Sequence, residues 1–286
     1  MKGIILAGGS GTRLHPLTAA ISKQLLPVFD KPMIFYPLST LISMGIREVL
    51  VISSPSQLNF FKQLLGDGKN FGVEISYAIQ EKPNGIAEAL IIGEKFINND
   101  DCTLILGDNI FLSNNLNSSL TKSFKSGATI FTVEVDDPER YGVLEIRDNQ
   151  PYRIIEKPQT FISKLAVTGL YFYDTEAVEI CKSLKPSARG EIEISELNSK
   201  YLKNNALNVV KMDSTSIWMD AGTFDSLLDA SNLICSMQNR KGSLLGSPEL
   251  ESLKQGFLSK ESFIQNISPN IENNYHSRLK LIAEGI

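Results

Sequence analysis

The feature that most limits what this chain can fold into is a short apolar run broken at once by glycines. Lys2-Gly3-Ile4-Ile5-Leu6-Ala7 has no polar alternation, which predicts a strand buried on both faces of a sheet. It runs into Gly8-Gly9-Ser10-Gly11-Thr12-Arg13, and Lys23 follows in Ser22-Lys23-Gln24. A glycine-rich turn at the carboxyl end of a buried strand is where an α/β sheet holds phosphates. Backbone N–H groups there converge on an anion that a Cβ would keep away, and Arg13 and Lys23 add full positive charge. Two better-known loops are excluded. Gly-x-x-x-x-Gly-Lys-Ser/Thr does not occur, and Gly9-Ser10-Gly11 continues as Thr12-Arg13-Leu14, without the third glycine of a dinucleotide fingerprint. Ser10 is no nucleophile elbow, since Gly-x-Ser-x-Gly fails at Thr12. A tight turn without a ligand remains the plainer alternative.

Residues 1–127 alternate short apolar runs with amphipathic stretches. Strands are predicted at 48–53, 74–80 and 103–106, and helices at 34–44, 57–65 and 86–97. Strand and helix in alternation argue an α/β fold: a doubly wound, mostly parallel (Rossmann-like) central sheet, with ligands at the carboxyl ends of its strands. From residue 128 the strands crowd together at 129–135, 142–147, 151–156 and 167–174, which predicts a smaller mixed or antiparallel region. Helices are expected at 175–184 and 193–204, strands at 208–212 and 217–219, and a long helix from Thr223 to about Gln238. Beyond Arg240 the chain reads as short helices, an appendage and not an independent domain. The organisation expected is therefore 1–239, in two halves at 1–127 and 128–239, followed by 240–286.

At 286 residues, with 42% apolar residues, the chain suits one large domain with such an appendage. A net charge of -4 offers no general basic surface for nucleic acid, so any phosphate site is a local cluster. Cys102, Cys181 and Cys235 are scattered and odd in number, and His15 and His276 are the only histidines; neither a disulfide framework nor a zinc site is expected. With no signal-like start and no apolar run of about 20 residues, the expectation is a cytoplasmic protein without a membrane span.

Two acids occupy matching places. Asp108, in Leu106-Gly107-Asp108-Asn109, and Asp220, in Trp218-Met219-Asp220-Ala221-Gly222, each follow an apolar strand with a glycine within two residues. A carboxylate so placed can hold Mg²⁺ against a triphosphate, or simply cap the next helix; the repetition favours a shared cation. Gln80 and Gly85, in Gln80-Glu81-Lys82-Pro83-Asn84-Gly85-Ile86, follow a strand. Glutamine both donates and accepts, which suits the O4 and N3–H edge of thymine or uracil, and glycine lets a base approach; a bare turn is the alternative. The pairs Phe60-Phe61 and Tyr171/Tyr173 read as core, and His15 needs no role as a base, because a phosphate oxygen is already ionised at neutral pH.

Leu6-Ala7-Gly8-Gly9-Ser10-Gly11-Thr12-Arg13-Leu14, Ser22-Lys23-Gln24-Leu25-Leu26-Pro27 and Lys31-Pro32-Met33 together resemble the signature of the sugar-1-phosphate nucleotidylyltransferases, and the resemblance runs over nearly the whole chain. It implies transfer of a nucleotidyl group from dTTP to glucose 1-phosphate, with UTP or CTP or another hexose 1-phosphate as the nearer alternatives. A non-catalytic sugar-nucleotide sensor is the farther one. Arg13 and Lys23 would act on the phosphates, and Asp108 and Asp220 would hold Mg²⁺. Leu6, Gly8, Gly9, Gly11, Thr12, Gln80 and Gly85 would bind the nucleotide; Asn109, Gly142, Glu156, Lys157 and Thr168 would bind the sugar phosphate. The Glu-Lys-Pro at 156–158 is then the functional copy, and the one at 81–83 a solvated loop. Arg140-Tyr141-Gly142-Val143 and Val167-Thr168-Gly169-Leu170-Tyr171 would flank the sugar, while Arg189-Gly190-Glu191-Ile192-Glu193-Ile194-Ser195 resembles another family stretch that a polar helix start explains without a catalytic role. Asn84, where relatives carry an acid or arginine, and Ala221, where they carry threonine, are departures. The tail implies a homotetramer with feedback by a sugar nucleotide.

Overall fold

The computed structural model describes residues 1–9, 11–267, 271 and 273–285. Four parallel strands form its heart, in the order Cys102–Leu106, Lys2–Ala7, Glu48–Ser53, Glu74–Ile79. Their apolar runs are explained by cover on both faces. Ile4, Leu50 and Ile52 pack on one side with Ala89 and Leu90 of the helix Glu88–Ile92. Ile5, Val49 and Val51 pack on the other with Leu38 and Leu41 of the helix Phe35–Ser43 and Phe61 of the helix Leu58–Leu65.

The antiparallel region expected as a separate part is continuous with this sheet. Leu165–Tyr173 pairs antiparallel with Cys102–Leu106 through Leu170–Tyr173, and on its other side with Ala128–Glu134. A register shift between Val167 and Tyr171 lets this nine-residue strand serve both neighbours. The hairpin Gly142–Arg147/Gln150–Glu156 extends one edge, Leu207–Lys211 runs parallel to Ala128–Glu134, and nine strands result.

Three local differences from the sequence reading have simple causes. The stretch expected as one helix at 86–97 forms Glu88–Ile92 and Glu94–Ile97, split at Gly93. A side chain at Gly93 would meet Ile4, 2.9 Å away, so the turn packs directly on the central strand. The helix begun by the Thr223 cap, reinforced by Ser226, runs on to Lys241 and stops at Gly242, whose φ of 65° ends it. Finally, Asp108 precedes a strand, Asn109–Leu112, and caps no helix. That strand pairs antiparallel with Ile217–Asp220, a two-stranded ribbon that matters for the site.

The tail forms the helices Pro248–Lys254, Lys260–Asn266 and Asn274–Gly285 around Leu250, Phe263, Tyr275 and Leu279. It is pinned to the main body by Gln255 Nε2 donating to the Ser43 carbonyl (3.0 Å) and Asn266 Nδ2 to that of Asn70 (2.9 Å). Among the described residues no helix is long and apolar enough to cross a membrane.

Candidate active site

The carboxyl ends of the parallel strands open on a cavity of about 240 Å³. Ten of the residues singled out from the sequence line it: Leu6, Gly9, Arg13, Lys23, Asp108, Asn109, Gly142, Glu156, Lys157 and Asp220. Gly8, Gly11, Thr12, Gln80, Gly85 and Thr168 lie outside that lining, and Ser10 lies outside the described residues.

The two-stranded ribbon brings the acids together. Asp220 stands opposite Asn109 in the ladder, and the Ala221 N–H donates to the Asp108 carbonyl at 3.1 Å. Asp108 is almost fully buried; its Oδ2 accepts from Lys23 Nζ and its Oδ1 from Asn109 Nδ2 (3.2 Å). Burial opposes its charge most, yet the Lys23 ammonium and the hydrogen bonds from Lys23, Asn109 and the backbone together hold the carboxyl below the usual range. Asp220 goes the opposite way: burial raises it and the Asp108 charge adds to that, against Lys23, Arg13 and Arg140. Arg140 stands 3.7 Å from Asp220 Oδ2 and donates to Asp137 at 2.6 Å, leaving its second terminal nitrogen buried without a hydrogen bond. Arg13 reaches the same place, since a side chain on Gly222 would lie 2.8 Å from Asp220 Oδ1 and 3.0 Å from an Arg13 terminal nitrogen. Three cations thus surround two carboxylates, an arrangement suited to a polyanion carrying a divalent cation.

The opposite wall comes from the antiparallel strands. Glu156 pairs with Gly142 in the ladder, and a Cβ at Gly142 would stand 3.2 Å from Glu156 Oε2. Burial pushes the Glu156 carboxyl above its usual range; Glu193 pushes the same way, while Lys157 and Arg189 pull back. Lys157 takes a left-handed φ of 44°, with its N–H bound to the Tyr141 carbonyl at 2.9 Å. Asn109 is a clamp: its Oδ1 accepts from the Gly169 N–H (3.0 Å) and from Trp218 Nε1 (2.6 Å). Thr168 is fully buried, and among the described residues its hydroxyl has no partner, while the alternate residues Val167, Gly169 and Tyr171 face the cavity.

The stretch at 189–195 sits closer to the site than a polar helix start explains. Arg189 forks onto Glu193 (2.7 and 2.8 Å) and lies 3.7 Å from Glu156, and Ser195 and Asn198 line the cavity. Neither composition nor spacing signals this, because the segment reaches the site through the helix Ile194–Lys203 packing on the strand Gln150–Glu156. Tyr171, expected in the core, is 3% exposed and still forms part of the cavity wall. Glu81, Lys82 and Pro83 are exposed, as a solvated loop should be.

The family model for nucleotidyl transferases matches residues 2–237. The chain belongs to the nucleotidyl transferase family. Within it, the chain is 50% identical over 96% of its length to a glucose-1-phosphate thymidylyltransferase of Neisseria meningitidis serogroup A, of which 96% is covered. It is 48% identical to the enzyme of that name from Mycolicibacterium smegmatis, over 99% of both chains. A Bacillus anthracis protein solved with sucrose superposes at a TM-score of 0.77 with 43% identity, over 82% of this chain and 94% of that one.

Proposed function

We propose that the chain transfers the thymidylyl group of dTTP to glucose 1-phosphate, releasing pyrophosphate and forming dTDP-glucose. The observation that carries this is the convergence on one cavity of two paired acids, three cations against them, and Glu156 with Lys157 on the facing wall. The names of the relatives supply the nucleotide and the sugar. Phosphates, a metal and a sugar phosphate are the partners that this charge pattern fits.

In the reaction, an ionised oxygen of the sugar phosphate attacks the α-phosphorus of dTTP. The new P–O bond forms as the bond to the β-phosphate oxygen breaks, and pyrophosphate leaves with that electron pair. No proton moves, so no general base is needed, and His15, exposed at the loop, stays without a role. Catalysis rests on positioning and on neutralising charge. Arg13 and Lys23 stabilise the charge developing on the transferred and leaving phosphates. Lys157 orients the nucleophile, Glu156 and the Gly142 N–H hold sugar hydroxyls, and Gln80 with Gly85 meets the base.

Asp108 and Asp220 fit Mg²⁺. Both are hard oxygen donors, and burial together with the Asp108 charge raises the Asp220 carboxyl, a cost that a divalent cation relieves. Among the described residues no third acid, histidine or cysteine joins them, so substrate phosphates and water would complete the shell. When bound, the ion supplies positive charge on the triphosphate, with Lys23 and Arg13 flanking it. Residues 1–127 would hold the nucleotide and 128–239 the sugar phosphate, in a cytoplasmic homotetramer whose tail, 240–286, answers to a downstream sugar nucleotide.

Pyrophosphate release with glucose 1-phosphate and Mg²⁺, in parallel with dTTP, UTP, CTP and ATP, tests the reaction. A clear preference for dTTP supports it; no release with any of the four overturns it.

A further inference from the structure

Gln80 was expected to meet a pyrimidine with both halves of its amide. The structure leaves it only one. Its Nε2 donates to Glu88 Oε2 at 2.7 Å and to the Gly85 carbonyl at 3.3 Å. Both partners are acceptors only, so the nitrogen must face them whatever else binds. Oε1 is therefore turned to the opposite side, onto the glycine turn, where a Cβ at Gly8 would lie 2.4 Å from it. Among the described residues Oε1 receives no hydrogen bond, and Gln80 is 3% exposed. Glu88 is itself fixed, because Asn84 Nδ2 donates to its Oε1 at 2.9 Å. The backbone around Asn84 is clamped in turn by the Ile192 N–H, which donates to the Asn84 carbonyl at 2.6 Å.

We propose that Glu88 is the positioning residue for base selection: by holding the Gln80 nitrogen it makes the base-facing atom an obligate acceptor. Resting on the reading of the nucleotide site above, this makes the site selective for a pyrimidine with an N3–H, thymine or uracil. Cytosine brings a lone pair to the position where N3–H donates, and two acceptors then oppose each other without a proton between them. Asn84, one of the chain's two departures from the family pattern, acquires a purpose as the group that holds Glu88 still.

The test compares dUTP with dCTP, which differ only at N3 and C4, in the unsubstituted protein and in Glu88→Ala and Glu88→Gln, with glucose 1-phosphate saturating. The unsubstituted protein should favour dUTP by at least about a hundredfold in kcat/KM, since a site built for a hydrogen-bonding group rejects its mismatch strongly. In Glu88→Ala the Gln80 amide is free to turn, and the preference should fall about tenfold or more. That loss should come mainly from a higher KM for dUTP, with kcat and the sugar-phosphate KM within a fewfold. Glu88→Gln keeps one acceptor for the Gln80 nitrogen and should recover part of the preference. An unchanged dUTP:dCTP ratio in Glu88→Ala, with its melting temperature preserved, overturns the role of Glu88 but leaves the reaction standing. Failure of the unsubstituted protein to turn over any nucleotide overturns both.

Discussion

At the residue scale the site is a set of charges that burial and neighbours drive apart. Asp108 and Asp220 are chemically identical, yet Lys23 claims the first, and the second is left to face the charge of the first. The same tension makes Lys23 and Asp108 depend on each other, with side chains only 13% and 11% exposed. Lys23→Met leaves Asp108 buried without its cation, and chemical denaturation should show a loss of about 3–5 kcal/mol. Arg13 is exposed and makes no such commitment, so Arg13→Ala should leave the melting temperature unchanged. Steady-state kinetics should instead show kcat lower by about 10²–10³, with the KM for glucose 1-phosphate little altered. Glu156 carries a pH signature. Its carboxyl is raised in the fold, so its contribution to stability is full below the ordinary glutamate range and is lost as pH rises through the raised value. Glu156→Gln removes that loss. Its melting temperature relative to the unsubstituted protein should climb as pH rises from the ordinary glutamate range through the raised value, while its KM for the sugar phosphate worsens.

At the element scale the glycine turn and the loop at 80–87 act as one unit. Gly85 has a φ of 116°, and a Cβ there would stand 2.4 Å from the Ile192 carbonyl oxygen. Backbone cannot retreat as a flexible side chain does, so Gly85→Ala strains both the dihedral and the clamp from the segment before Ile194. A stability loss of about 2 kcal/mol or more in urea unfolding is expected, together with a raised KM for dTTP. The ribbon of Asn109–Leu112 and Ile217–Asp220 matters as much. The Trp218 indole N–H and the Gly169 N–H both donate to Asn109, tying the ribbon to the sheet. Trp218→Phe removes one of these donors, and loosening the Asp108–Asp220 pair should raise the Mg²⁺ concentration needed for half-maximal rate.

At the scale of the whole molecule the tail is joined to the main body by a buried cation. The Lys31 side chain is 1% exposed and donates to Asp30 at 2.5 Å. It also lies over the rings of Tyr36 (5.0 Å) and, from the tail, Tyr275 (5.3 Å). Burial pulls its ammonium below the usual range, against the attraction of Asp30 and Glu249. Tyr275 in turn donates to Glu249 at 2.5 Å, and its hydroxyl lies 2.9 Å from that of Ser247. Tyr275→Phe strips these bonds without emptying the space, so the melting temperature should drop while turnover per folded molecule holds, because none of these residues borders the cavity.

Much of this was legible in the chain itself. An apolar run has to be buried, and a glycine turn with Arg13 and Lys23 behind it offers an anion little but welcome, so the first strand, its loop and the α/β order follow from local chemistry. The capped helix from Thr223 is legible for the same reason. What local chemistry cannot contain is which side chain takes which partner across the fold. The ribbon that sets Asp220 beside Asp108 joins residues about a hundred positions apart, as the Trp218–Asn109 bond does at 109. Leu165–Tyr173 joins the parallel and antiparallel strands into one sheet only by serving neighbours on both sides. Gln80 has two polar ends in any sequence, and only the approach of Glu88 and the Gly85 carbonyl decides which of them is left for a base. A residue type sets what a group can donate or accept, and the folded backbone sets which of those capacities is already spent.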